Sequence, residues 1–209
     1  VSGVEMTDWF SRIAGIFKRN GEFTLGIYGS PNAGKTTLAN RLCMDWMGRE
    51  AGKVSPIPHE TRTANIVEHL EMRYNGKRLR MNVVDMPGIS SKIDYRAFLK
   101  HGLSTEEAIQ RAKEATRGVI EAIQWLDTVD LALTVFDTTK VPFDQVNLVI
   151  LGNLRAKNIP NIIVANKIDL PKSRPKLVAE SFPDHKCVAI SALTGENIEE
   201  LYKLIIESQ

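Results

Sequence analysis

Gly29-Ser30-Pro31-Asn32-Ala33-Gly34-Lys35-Thr36 fits the pattern G-x-x-x-x-G-K-[ST], and its flanks decide how it is read. Residues 23–28 before it form a short apolar run that reads as a strand. Residues 34–47 after it place Leu38, Leu42 and Trp46 on one helical face. A strand, a glycine-rich turn and a helix in that order make a cradle for phosphate groups. Glycines let the backbone approach closely and turn its N–H groups inward, and the helix N-terminus adds partial positive charge. Lys35 is then placed to reach the outer phosphates and the Thr36 hydroxyl to bind a magnesium ion, with Asn32, Ala33, Gly34 and Thr37 completing the nucleotide-binding loop. The plainer reading is a glycine turn ahead of a helix that happens to contain Lys-Thr. The loop by itself leaves adenine and guanine nucleotides open.

Working outward, residues 64–74 alternate as a strand, Asn75-Gly76 is a two-residue hairpin signal, and residues 79–85 are the antiparallel return strand. A long helix is expected over residues 105–126. It opens on a capping box, Ser104 with Glu107, and carries a stripe of Ile109, Ala112, Thr116, Val119, Ile123 and Leu126. Strands at 131–136, 161–165 and 188–190 alternate with helices at 143–157 and 198–206. The proline-punctuated stretch around Pro171, Pro175 and Pro183 has room for at most a short helix. This alternation predicts an α/β fold: a mostly parallel six-stranded sheet with one antiparallel strand and helices on both faces. Ligands of such sheets sit beyond the carboxyl ends of the strands.

The 209 residues suit a single folded domain, with 43% hydrophobic and 25% charged residues. Lys and Arg number 27 against 25 Asp and Glu, a net charge of +2, which gives no argument for nucleic acid. Cys43 and Cys187 are far apart and read as buried, reduced thiols. No run is apolar and long enough to cross a membrane, and no secretory leader is visible, so a cytoplasmic protein is expected. Residues 1–20 are read as an N-terminal amphipathic helix, centred on residues 8–18 with Trp9, Phe10, Ile13, Ile16 and Phe17 on one side, and residues 21–209 as the main domain. That stripe has three readings: packing on the domain, a weak membrane contact, or a partner-binding helix. His59, His101 and His185 read as surface or loop histidines.

Three further motifs fall where strands end. In Asp85-Met86-Pro87-Gly88 the acid can hold magnesium through a water, and the Gly88 N–H can meet the outermost phosphate. In Asn166-Lys167-Ile168-Asp169 a buried Asp169 carboxylate can accept from the N1–H and 2-amino groups of guanine. Adenine offers neither, so it would leave that carboxylate unpaired. The Lys167 stem can cover the base face. In Ser191-Ala192-Leu193 the Ala192 N–H can donate to guanine O6. Each alone also reads as an ordinary polar turn; their order, each closing a strand, gives them weight.

Together these residues resemble the P-loop GTPases of the translation-factor-related class, over about residues 22–208, and most closely the Era-like group. Pro31-Asn32, the pair Thr61-Arg62 after Glu60, and Pro87 in the Asp85 motif carry that likeness. The resemblance implies a P-loop G domain that binds GTP and GDP and hydrolyses GTP as a molecular switch. Lys35, Thr61 and Gly88 then act in catalysis, and Thr36, Thr61 and Asp85 serve magnesium. Thr63 is the rival to Thr61. Ile89 stands where Ras-like proteins place a water-positioning glutamine, so slow intrinsic turnover is expected. Some Era-like proteins use a potassium ion held partly by the asparagine matching Asn32; the alternative is that Asn32 only shapes the loop. The group also implies a role in ribosome assembly, with an effector or ribosomal subunit as partner. A signalling or membrane-recruited binding module with incidental hydrolysis is the competing reading. Unlike in Era, no KH-type RNA-binding domain is expected after the last helix, as in an archaeal branch of the group.

Overall fold

In a computed structural model of the chain, residues 23–47, 64–74, 76–88, 96, 99, 100 and 102–208 are described. The N-terminal stripe (8–18), the loop holding His59, Thr61 and Thr63, and residues Ile89 and His101 lie outside the described residues. The described strands are β1 (Phe23–Gly29), β2 (Asn65–Tyr74), β3 (Lys77–Asp85), β4 (Leu131–Asp137), β5 (Asn161–Asn166) and β6 (Lys186–Ile190). The helices are α1 (Lys35–Met47), α2 (Thr105–Gln124), α3 (Gln145–Ala156), α4 (Pro175–Ser181) and α5 (Ile198–Ile206).

The strands form one six-stranded sheet in the order β2-β3-β1-β4-β5-β6. Only β2 and β3 run antiparallel; the other pairs are parallel, as expected from the alternation of strands and helices. The hairpin closes with Tyr74 opposite Lys77, with Gly76 in the turn. A register shift between Val67 and Leu70 is absorbed at His69, whose N–H is donated to the buried Asn82 side chain at 3.0 Å. β1 is flanked by β3 on one side and β4 on the other, so the connections leaving β1 and β3 diverge. A crevice opens at the carboxyl ends there.

Helices cover both faces. On one, Leu38, Leu42, Leu201 and Ile205 pack onto Leu25, Ile27 and Leu133. On the other, Trp125, Val146, Ile150 and Leu154 pack onto Tyr28, Val84 and Ala132. β4 is buried on both sides through Phe136, the pattern of a central strand. Trp46 is only partly buried and meets Tyr202 edge-on at 5.2 Å.

Several local expectations shift. The expected α2 stripe is not the buried face throughout: Ile109 and Thr116 face solvent and Ala112, Val119 and Ile123 are half-buried, while Ala108 and Ala122 are buried, as is Leu126 in the turn that follows. The helix stops at Gln124 and tightens into a 3₁₀ turn over Trp125–Thr128, closed by the Thr128 hydroxyl donating to the Trp125 carbonyl at 2.8 Å. α3 starts at Gln145 because Asp144 caps it, accepting the Asn147 N–H at 2.8 Å. Cys43 is buried, but Cys187 is only partly so. Burial pushes the Cys187 thiol up to about 11.

The α2 capping box forms as read, with Ser104 Oγ accepting the Glu107 N–H at 3.3 Å and Glu107 Oε2 accepting the Ser104 N–H at 2.9 Å. Ser104→Ala is expected to lower the unfolding free energy by about 1 kcal/mol in urea denaturation, and Ser104→Asp to restore most of it. An alanine variant as stable as the parent would refute the cap.

Candidate nucleotide site

β1 delivers the chain into the crevice, and the loop 29–36 folds back so that the Ala33 N–H reaches the Ser30 carbonyl at 3.2 Å. Lys35 opens α1 and is buried, its Nζ donating to the Ser30 carbonyl at 3.0 Å. Thr36 donates its hydroxyl to Asp85 Oδ2 at 2.7 Å, which brings the end of β3 against the start of α1. Gly88 is held tightly to this loop: a Cβ there would stand 2.9 Å from the Pro31 Cα, so only glycine allows the two backbones this close.

Asn166, at the end of β5, joins two more loops to the first. Its Nδ2 donates to the Ala33 carbonyl at 2.9 Å and its Oδ1 accepts the Ala192 N–H at 2.9 Å. Gly34 makes room for it; with φ of +98°, a Cβ at Gly34 would meet Asn166 Nδ2 at 2.3 Å. Lys167 extends beside it, its Nζ donating to the Asn32 carbonyl at 2.6 Å and to Asp137 Oδ2 at 2.7 Å. The phosphate-type loop, the 166–169 turn and the 191–193 turn are therefore one hydrogen-bonded unit.

Two buried charges face each other across the crevice. Burial lowers the Lys35 pKa to about 8, eased by the Asp85 carboxylate and worsened by Lys140. Burial raises the Asp85 pKa, with the Thr36 hydrogen bond and Lys35 pulling it back. Asp85 Oδ1 is buried with no hydrogen bond of normal geometry; the Asn65 amide nearby offsets only part of its desolvation. A polyanion beside Lys35 and a hard cation beside Asp85 would each relieve one of these costs.

The oxygen pair of Thr36 and Asp85 suits magnesium. Among the described residues no group of three or more His, Cys, Asp or Glu side chains could hold a metal ion alone. Magnesium needs no such cage where one or two protein oxygens are joined by substrate phosphates.

A protein-family model described as "50S ribosome-binding GTPase" matches residues 24–167, the stretch that contains all of this machinery except the 191–193 turn and Asp169. The chain belongs to that GTPase family. Among sequence relatives, it is 30% identical over 194 residues to the tRNA modification GTPase MnmE of Thermotoga petrophila, covering 92% of this chain and 36% of that protein. It is 32% identical over 183 residues to GTPase Era of Rickettsia akari, covering 86% of this chain and 53% of that protein. Among solved structures, a variant of Aquifex aeolicus Era bound to GDP·AlF4⁻ superposes with a TM-score of 0.66 at 26% identity, covering 88% of this chain and 56% of that one. Era in complex with MgGDPNP and nucleotides of 16S ribosomal RNA matches with the same TM-score and identity, over 89% of this chain. The chain thus spans about a third to a half of the length of the sequence relatives it matches.

In this chain the structure brings Asn32, Ala33, Gly34, Lys35, Thr36, Asp85, Gly88, Asn166 and Lys167 together, with Thr37 one step further along α1. Two expectations need correction. Asp169 is exposed, not buried: it lies past the end of β5, and no described residue covers it. The Ala192 N–H, assigned from sequence to guanine O6, is already donated to Asn166 Oδ1.

Asp137 was missed. It ends β4 as Asp85 ends β3, and it holds Lys167. Burial raises the Asp137 pKa, but hydrogen bonds from Lys167 and Thr139 outweigh that, leaving it below the usual carboxylate range. Its signal was present: an acid closing an apolar central strand at the ligand end of the sheet. The apolar pattern ends the strand one residue earlier, at Phe136.

The Lys35 value yields a pH test. Folded, it titrates near 8, against 10.5 ordinarily. Between those values the unfolded chain binds more protons, so stability without nucleotide rises with pH across that window. Below it the buried charge costs on the order of 3 kcal/mol. Lys35→Met is therefore expected to raise the unfolding free energy at pH 7 without nucleotide and to flatten the slope between pH 8 and 10.5, followed by urea denaturation. A less stable variant with the parent's slope would contradict this.

Proposed function

We propose that this chain binds GTP in preference to ATP and hydrolyses it to GDP and phosphate as a switch. The observation that carries the reading is the Asn166 bridge, which fixes a phosphate loop and two base-side turns in one place. The loop amides and Lys35 neutralise the phosphate chain, and the Gly88 N–H meets the γ-phosphate. Asp169 accepts from guanine N1–H and the 2-amino group, the Lys167 stem covers the base, and Ser191, Ala192 and Leu193 border its O6 edge. With its Ala192 N–H engaged, the turn presents O6 with the neighbouring Leu193 amide.

Thr36 and Asp85, with Thr61 from the preceding loop, would hold magnesium. Bound there, the ion would supply electrostatic stabilisation of the charge that develops in phosphoryl transfer. Water attacks the γ-phosphorus, the bond to the β–γ bridging oxygen breaks, and GDP leaves with that electron pair. Lys35 offsets the growing charge on the bridging and γ oxygens. Loss of the γ-phosphate removes the partner of the Gly88 N–H, the event that would mark the GDP state. The family description and the Era relatives support a ribosome-linked process, with the GTP state engaging a ribosomal subunit or another effector.

Calorimetry with both nucleotides tests the base assignment. Binding of GTP is expected to exceed that of ATP by a factor on the order of 10⁴, and Asp169→Ala to erase most of the difference. Equal affinities in the parent would end the reading.

Asn32 has φ of +62°, is exposed on the phosphate loop, and has its carbonyl held by Lys167. A potassium ion there, held partly by Asn32, would stabilise transition-state charge. Turnover is then expected to be at least about tenfold faster in KCl than in NaCl, and Asn32→Ala to abolish the difference. Equal rates in the two salts would remove potassium.

A further inference from the structure

Arg41 lies on α1 but spends its guanidinium on the far side of the pocket. Its Nη2 donates to the Leu193 carbonyl at 2.7 Å and its Nε to the Ala192 carbonyl at 3.4 Å. It is held from behind. Asp45, one turn along α1, lies 3.9 Å from Arg41 Nη1, and the Tyr202 hydroxyl of α5 donates to Asp45 Oδ2. The Tyr202 ring is itself fixed edge-on by Trp46. Nothing in the sequence patterns marked Arg41, because its partners are backbone carbonyls more than 150 residues away.

The geometry of the peptide unit turns this clamp into a statement about the ligand. A trans peptide is planar, and its N–H points opposite to its C=O. The Ala192 carbonyl belongs to the same peptide unit as the Leu193 N–H, so gripping the one from α1 aims the other away from α1. The Leu193 carbonyl shares its unit with the Thr194 N–H, which is donated to Ser191 Oγ at 3.1 Å. The Ala192 N–H goes to Asn166. Of the amides around this turn, the Leu193 N–H has no hydrogen-bond partner among the described residues. A guanidinium on the carbonyl side also polarises that unit and strengthens its N–H as a donor.

We propose that Arg41 is a positioning residue for base selection: it fixes the Ala192–Leu193 peptide so that the Leu193 N–H donates to guanine O6. Adenine carries an amino group at that place and meets a donor with a donor. The inference rests on the guanine reading above and adds the residue that sets the O6 contact.

The test measures dissociation constants for GDP, ADP and 6-thio-GDP with the parent, Arg41→Ala and Arg41→Lys. 6-Thio-GDP keeps N1–H and the 2-amino group but replaces O6 with sulfur, a weak acceptor. Arg41→Ala is expected to weaken GDP binding about tenfold or more, to leave ADP unchanged, and to weaken 6-thio-GDP by only a small factor. Arg41→Lys, with one donor centre in place of a fork, is expected to recover part of the loss. The same losses for GDP, ADP and 6-thio-GDP would mean that Arg41 only supports the fold, and unchanged GDP affinity in Arg41→Ala would overturn the proposal outright. A parent that binds ADP as tightly as GDP would instead defeat the guanine reading itself. A parent that discriminates, with Arg41→Ala discriminating equally well, defeats only the Arg41 proposal.

Discussion

A single buried side-chain amide ties the site together. Asn166 gives its donor to the phosphate loop and its acceptor to the 191–193 turn, while its own backbone is the last residue of β5. An amide is suited to this because it carries a donor and an acceptor on one rigid plane; an ionised acid or an apolar group of the same size would leave at least one buried partner unpaired. The constraint propagates. Gly34 must lack a side chain for the amide to approach, and Lys167, next in sequence, is thereby placed between the Asn32 carbonyl and Asp137.

Around that fixed point the electrostatics are unfinished. Lys35 is held below its ordinary pKa and Asp85 above its own, both by burial, and the two ease each other only in part. A surface would have hydrated them; this crevice does not. Binding energy from phosphate and cation is thus in part the relief of a cost already present in the folded chain. The close approach of Gly88 to Pro31 puts the β3 exit in direct contact with the same loop, so a change in what the loop holds is felt there first.

α1 plays two parts at once. Its N-terminus and first residues face the phosphates, and its middle reaches the base-side turn through Arg41, backed by Asp45 and Tyr202. Phosphate recognition and base recognition are therefore fastened to the same rigid helix rather than to independent loops.

The sequence by itself determined the order of strands and helices, the antiparallel hairpin, the α2 cap and the members of the phosphate loop. These are set by local rules: apolar period, turn chemistry, and glycines next to Lys-Thr. It also determined that Asp85, Asn166 and Ser191 would gather, because each follows a strand of a parallel sheet and all such ends lie on one edge. Only the tertiary structure decided which groups within that gathering are already paired. Asp169 stands exposed, the Ala192 amide is taken by Asn166, Asp137 holds Lys167, and Arg41 holds the turn. Those outcomes depend on hydrogen-bond competition between residues up to 152 positions apart. A motif names the groups at hand, whereas the packed geometry determines which partner each one reaches.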